Sequence, residues 1–204
     1  MPTYEQLRSK LKTGDLVLFS GKGGISDLIK LFSGGKWSHV GMIVVIPEFD
    51  NAVLLWESTT LSNVADVETS LKVKGVQLVP LSQRVKTYGG EVSVRQLSKP
   101  ITDEMATSLA EARKALSRKP YERSECELLK AAWDGFLGDS KGEDLSSLFC
   151  SELIAEAYQA MELLPEHPAG LPSNEYTPID FSERRALKLL NGFSLGKEIK
   201  VAAS

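Results

Sequence analysis

Two side chains that can act as a nucleophile and a base stand far apart in this chain. Cys150 follows the apolar pair Leu148-Phe149 and begins a segment in which apolar residues recur every three or four positions. That spacing predicts a helix with Cys150 in its first turn, where the partial positive charge of a helix N-terminus favours a thiolate. His39 opens the apolar run 39–46, which predicts a strand. Together they suggest a Cys–His nucleophile pair.

Glu57 is the candidate third member of this set. Two apolar runs, 39–46 and 53–57, are separated by a short turn-forming segment and predict an antiparallel hairpin. A turn of three residues pairs Gly41 with Glu57, which places Glu57 diagonal to His39 on the same face. A buried carboxylate needs such a partner, because burying a lone charge is costly. Two alternatives stay open: Glu57 caps the strand in solvent, or a one-residue slip moves it to the other face.

The remaining cysteine and histidine do not fit a metal site. Cys126 lies between two glutamates, which disfavour a thiolate, and we expect it to be structural. His167 lies in a proline-rich segment that predicts an exposed loop. None of the cysteines and histidines has the short spacing of a ligand pair, so we expect no metal and no other cofactor. For Cys150 itself the alternative is a buried structural thiol, which is common for this residue type.

The order of the predicted elements indicates an α+β fold in a single domain spanning residues 1–204. Strands dominate the first half and helices dominate the second. A glycine-rich stretch at 21–24 lacks the spacing of a phosphate-binding loop. The patterns predict strands at 16–19, 39–46, 53–57, 71–81 and 91–97, and helices at 4–11, 25–32, 102–117, 123–137, 150–164 and 180–190.

Composition narrows the functional classes. The chain has 204 residues and a formal net charge of −3, with no basic block to neutralise phosphates, so we expect no nucleic-acid partner. No apolar stretch reaches the roughly 18 residues of a membrane span. The N-terminal segment is too polar for a signal peptide, and we expect both cysteines to be free thiols in a reducing compartment. These features predict a protein that is cytoplasmic as synthesised, with signal-independent export and the oligomeric state left open.

Four short motifs occur in an informative order. They are Gly14-Asp15-Leu16-Val17, His39-Val40-Gly41, Trp56-Glu57-Ser58 and Phe149-Cys150-Ser151-Glu152-Leu153, and the segments 119–122 and 176–181 accompany them. In this order they resemble the permuted NlpC-type branch of papain-like thiol hydrolases, in which the histidine strand precedes the cysteine helix. The resemblance spans about residues 13–182, although the region 58–90 has no close counterpart in that branch.

The resemblance implies a permuted papain-like fold, with a central antiparallel sheet packed against helices and the nucleophile at a helix N-terminus. It assigns Cys150 as nucleophile, His39 as base and Glu57 as the residue that orients the imidazole. The implied reaction cleaves a peptide or isopeptide amide, cell-wall-derived peptides included, through a thioester. The backbone N–H of Cys150 is expected to help hold the oxyanion. Trp37 and Tyr121 are expected to line the substrate groove, the alternative being ordinary core or surface aromatics.

Two other functions stay open. Enzymes of the lecithin:retinol acyltransferase type move acyl chains between lipids on a similar triad, so a lipid acyltransferase or phospholipase is the first alternative. The lack of a membrane anchor in the sequence favours a soluble amide substrate over a lipid. The second alternative is a non-catalytic binding module that keeps the fold and uses Cys150 as a core thiol. The presence of all three candidate side chains argues against that module.

Overall fold

The computed structural model describes residues 1–21, 35–116 and 146–202, and within them the chain has an α+β fold. Six strands form one sheet in the order β4-β3-β2-β1-β5-β6, and every neighbouring pair is antiparallel. The strands are β1 Leu16–Ser20, β2 His39–Ile46, β3 Ala52–Thr59, β4 Gly75–Pro80, β5 Glu91–Arg95 and β6 Ile199–Val201.

Four α-helices accompany the sheet among the described residues. They are α1 Tyr4–Arg8, α2 Leu81–Thr87, α3 Asp103–Leu116 and α4 Ser146–Ala160, with 3-10 turns at Pro47–Phe49, Ser173–Glu175 and Glu183–Arg185. In this part of the chain, no helix combines the length and the apolar character that crossing a membrane requires.

The predicted strands at 16–19, 39–46, 53–57 and 91–97 and the helix at 102–117 are confirmed, with small shifts at their ends. Two predictions are wrong. The predicted strand 71–81 is reduced to β4 Gly75–Pro80, because residue 81 begins α2. The predicted helix 180–190 is reduced to the 3-10 turn Glu183–Arg185, which is followed by Ala186 with a φ of 47°. The predicted helices at 25–32 and 123–137 lie outside the described residues.

The hairpin between β2 and β3 has the register that its sequence predicts. Ile46 pairs with Ala52, and the pairing continues without a slip to Met42 opposite Trp56. Asp50 adopts a left-handed backbone conformation in the turn, with φ of 51°, which an aspartate tolerates well. Because side chains alternate along a strand, this register carries Glu57 onto the face of His39.

Both faces of the sheet are covered, so its central strands are apolar on both sides. One face packs against α4, whose Ile154, Ala157 and Tyr158 are fully buried. The other face packs against residues of α1 and α2, among them Leu7 and Leu81. Continuous apolar strands such as β1 and β2 are typical of a sheet buried in this way.

The turn before β1 ties three parts of the fold together. Gly14 has a φ of 94°, a conformation that favours glycine. The buried carboxylate of Asp15 accepts the backbone N–H of Leu97 at 2.8 Å and that of Lys12 at 2.9 Å. The hydroxyl of Tyr158, on α4, donates to the carbonyl of Gly14 at 2.7 Å. This turn therefore fixes the start of β1 against the segment after β5 and against α4.

We predict that Asp15→Ala lowers the free energy of unfolding by about 1–3 kcal/mol, because it leaves a buried N–H without an acceptor. Urea denaturation followed by circular dichroism measures this change. Glu166→Ala removes an exposed carboxylate from a loop and serves as the control with little effect. Equal stability of the Asp15→Ala and Glu166→Ala proteins would contradict the anchoring role.

Candidate functional site

His39 and Glu57 form a hydrogen-bonded pair at one end of the sheet. The Nε2 atom of His39 lies 2.7 Å from Oε2 of Glu57, and the Glu57 side chain has no exposed surface. Gly41 lies two residues after His39 on the same face of β2. A Cβ at Gly41 would come within 2.7 Å of Leu55 Cδ1. A larger residue at this position would displace the Leu55 side chain. The alternative in which Glu57 caps the strand in solvent is wrong.

Glu57 has a second cationic partner that the sequence did not reveal. Nε of Arg84, on α2, donates to Oε1 of Glu57 at 2.7 Å, and its Nη1 donates to Oδ1 of Asn63 at 2.6 Å. Arg84 is 1% exposed. The one available signal was its position between Leu81 and Val85, at the helical spacing of a buried face. No sequence pattern connects an arginine on such a face with a carboxylate on a strand.

Cys150 meets the other side of the same imidazole. The thiol is 0% exposed, and it hydrogen-bonds with the His39 ring. Because Nε2 of His39 faces Glu57, Nδ1 is the ring nitrogen left for Cys150. The three predicted residues of the triad therefore lie together, with the imidazole between the thiol and the carboxylate.

The charges around His39 favour its protonated form. Burial alone would lower the pKa of the imidazole, but the charge and hydrogen bond of Cys150, and then those of Glu57, outweigh it and raise the pKa of His39 to about 10. An imidazolium between a thiolate and a carboxylate is the resting state of an activated cysteine–histidine pair.

The position of Cys150 on its helix differs from the prediction. The first turn is expected to begin at Cys150, but the described part of α4 already includes Ser146, so Cys150 lies beyond the first turn. The apolar pair Leu148-Phe149, interpreted as an approach to the helix, is part of it. The field of a helix N-terminus falls off within the first turn, so it contributes little at Cys150. The N–H of Cys150 also lies beyond the unpaired N–H groups of the helix start.

Tyr88 is a second residue that the sequence did not reveal. Its ring lies edge-on to Phe19, with centroids 4.9 Å apart, and the Phe19 ring lies 5.3 Å from that of His39. The hydroxyl hydrogen-bonds with Ser38 and interacts electrostatically with Glu57 and with Cys150. Burial is the main cause that raises the pKa of Tyr88 to about 12, so its phenol stays a neutral donor.

The two predicted groove residues have different outcomes. Trp37 is 2% exposed in the core that packs against α4, and its Nε1 donates to Oε1 of Glu198 at 2.9 Å. That position matches the alternative of an ordinary core aromatic and leaves almost no surface for a substrate. Tyr121 lies outside the described residues, as does Cys126. His167 is exposed in a loop, as predicted.

Within the described part of the chain, no side-chain cluster suits a metal ion, and one cavity lies away from the triad. Among residues 1–21, 35–116 and 146–202, no group of three or more His, Cys, Asp or Glu side chains could hold a metal ion. A cavity of about 200 Å³ lies elsewhere, against β3, β4 and α3, where Trp56, Leu78 and Arg113 line it.

Comparisons with known proteins leave the family open. No protein-family model matches this chain, and no curated protein matches it. A solved structure described as the metalloprotein yiiX from Escherichia coli O157:H7 aligns with 95% of this chain and 97% of its own, at 19% identity and a TM-score of 0.49. A likeness at this level assigns neither a fold family nor a metal nor an activity to this chain.

We predict that the His39 imidazole titrates near pH 10, and that Cys150→Ala lowers this midpoint by about one pH unit or more. The alanine removes the interactions that raise the His39 pKa most. The measurement is the pH titration of the imidazole Cε1–H signals by NMR, which is simple because the chain has two histidines. Exposed His167 supplies the reference signal. A His39 midpoint that is unchanged in Cys150→Ala would show that the two side chains do not interact.

Proposed function

We propose that this chain is a thiol hydrolase with a permuted papain-like fold. Cys150 is the nucleophile, His39 the general base and acid, and Glu57 the residue that orients the imidazole. The observation that carries this proposal is the position of one largely buried imidazole between a cysteine and a fully buried carboxylate. The order of the motifs along the chain and the antiparallel sheet packed against α4 support it.

The reaction proceeds in two halves. The Cys150 thiolate attacks the carbonyl carbon of an amide, which forms an S–C bond and places the electron pair of the carbonyl on its oxygen. Protonated His39 gives its proton to the departing nitrogen, the C–N bond breaks, and a thioester remains on Cys150. Neutral His39 then removes a proton from water, which attacks the thioester and releases the acid and the thiolate. Glu57 holds the imidazole orientation through both halves.

The oxyanion needs a donor other than the one that the resemblance implied. Because α4 begins four residues before Cys150, the N–H of Cys150 is engaged within the helix. The hydroxyl of Tyr88 takes that role in our proposal, since it is a neutral donor that interacts electrostatically with the Cys150 thiolate.

The substrate class in this proposal is a peptide or isopeptide amide. Transfer to another acceptor, as in a lipid acyltransferase, begins with the same thioester and differs only in what replaces water in the second half. The experiment below therefore tests the shared first half.

A non-catalytic module remains the second candidate, because one observation favours it. Cys150 has no exposed surface, as expected of a core thiol. In a hydrolase the same burial requires that an opening form above Cys150 when the substrate arrives.

We predict that p-nitrophenyl acetate, an activated ester that needs no specific binding site, acetylates Cys150 in a burst. Release of p-nitrophenolate and the intact mass of the protein follow the reaction, and peptide mapping locates the acetyl group. His39→Gln should slow the burst by roughly 10²–10⁴-fold, because it removes the proton transfer and the charge partner. Tyr88→Phe should slow it by about 10²-fold, the typical cost of one oxyanion donor.

Two variants serve as controls in this assay. Cys150→Ala should give no burst, whereas Cys126→Ala should keep the wild-type burst and leaves Cys150 as the single thiol of the chain. A native protein that stays unacetylated, or that reacts at the same rate with and without His39, would overturn the hydrolase proposal in favour of the binding module.

A further inference from the structure

We propose that Arg84 is a positioning residue of the candidate site, which holds the Glu57 carboxylate toward His39 and so supports the ion pair between His39 and Cys150. This inference deepens the proposed function and rests on it. Arg84 touches neither the substrate nor the thiol in this account and acts through Glu57.

The two oxygens of the Glu57 carboxylate bind different partners. Oε2 faces His39 at 2.7 Å, and Oε1 accepts from Nε of Arg84 at 2.7 Å. Both side chains of the Arg84–Glu57 pair are almost completely buried. With one oxygen held by a rigid guanidinium, the other cannot turn away from the imidazole. Asn63, which accepts from Nη1 of Arg84, fixes the plane of the guanidinium in turn.

The charges of the site balance only when Arg84 is counted. Cys150 from α4 and Glu57 from β3 contribute two negative charges, and His39 from β2 contributes one positive charge. Tyr88, just after α2, is neutral. Arg84 supplies the second positive charge in a region where solvent screens little. Removing it leaves a net negative charge in a buried site, which such a site relieves by binding a proton.

Two buried polar atoms near Glu57 have no hydrogen-bond partner among the described residues. Nη2 of Arg84 is buried and finds no acceptor among the described residues. Gln77, the residue directly opposite Glu57 on β4, has a buried Oε1 atom that is likewise without a described donor. Buried polar groups are usually satisfied, and exceptions concentrate where function rather than stability selects the side chain. Among the described residues, Arg84 thus binds Glu57 through Nε and Asn63 through Nη1, while Nη2 has no acceptor.

The test is the pH dependence of Cys150 alkylation by iodoacetamide, followed by mass spectrometry between about pH 4 and about pH 9. Each rate is normalised to the maximum of its own variant, so that access to the buried thiol cancels. In Arg84→Met, the pH at which the alkylation rate falls to half of its maximum on the acid side should rise by about one unit. The reason is that the site binds an additional proton. Arg84→Lys keeps the positive charge, so the pH at half-maximal alkylation rate should stay near its wild-type value. Lys86→Met, which removes an exposed cation from the same helix, is the matched control.

The outcomes separate the possible roles of Arg84. A purely structural arginine would lower the melting temperature of Arg84→Met while leaving the alkylation profile unchanged, and this result would overturn the proposal. An equal shift in Arg84→Lys and Arg84→Met would also overturn it, since the charge would then not be the cause. If Arg84→Met does not fold, Arg84→Gln, which keeps a donor but no charge, should show the upward shift instead.

This experiment distinguishes failure of the Arg84 proposal from failure of the proposed function. Alkylation needs no substrate, so an unchanged profile in a protein that p-nitrophenyl acetate still acetylates refutes Arg84 alone. If the wild-type protein is not acetylated but the alkylation profile of Arg84→Met is shifted, the hydrolase proposal is refuted. The proposal that Arg84 acts on the site through its charge then still holds.

Discussion

A fully buried carboxylate is the constraint on which this structure depends. Glu57 has no contact with solvent, and an unpaired charge in that position would be very costly. Two cations from different elements, His39 on β2 and Arg84 on α2, meet it at 2.7 Å each. Such pairs contribute little net stability, because desolvation offsets much of the attraction. We therefore interpret the cluster as a device that sets the charge and orientation of His39.

The sheet explains how residues from opposite faces reach one another. Cys150 belongs to the core on the α4 face, whereas Glu57 and Arg84 lie on the face that packs against α2. His39 is the first residue of β2 and so borders both faces at the rim of the sheet. Its imidazole can contact a carboxylate on one side and a thiol on the other. The candidate site thus depends on where β2 begins, and the Asp15 turn helps to fix the neighbouring strand.

The parts of the site that could be predicted follow short-range rules. Strand alternation and a short turn determine the β2–β3 register, and that register alone places Glu57 beside His39. Arg84 and Tyr88 could not be predicted, because their roles arise from long-range packing of α2 and the segment after it. The prediction placed 146–149 before the helix, although α4 includes them, since Leu148-Phe149 is equally consistent with a strand or loop before a helix and with the helix itself. This difference places Cys150 beyond the reach of the helix N-terminal field.

The proposed ion pair between His39 and Cys150 is tested most directly by comparing the alkylation rate of Cys150 in the wild-type protein with that in His39→Gln. At about pH 6 an ordinary thiol is almost fully protonated and reacts slowly. We expect Cys150 in the wild type to react about tenfold faster or more than in His39→Gln, while Cys126 reacts equally in both. Equal rates at Cys150 would mean that no ion pair forms between the two side chains, and the account of the site would be wrong.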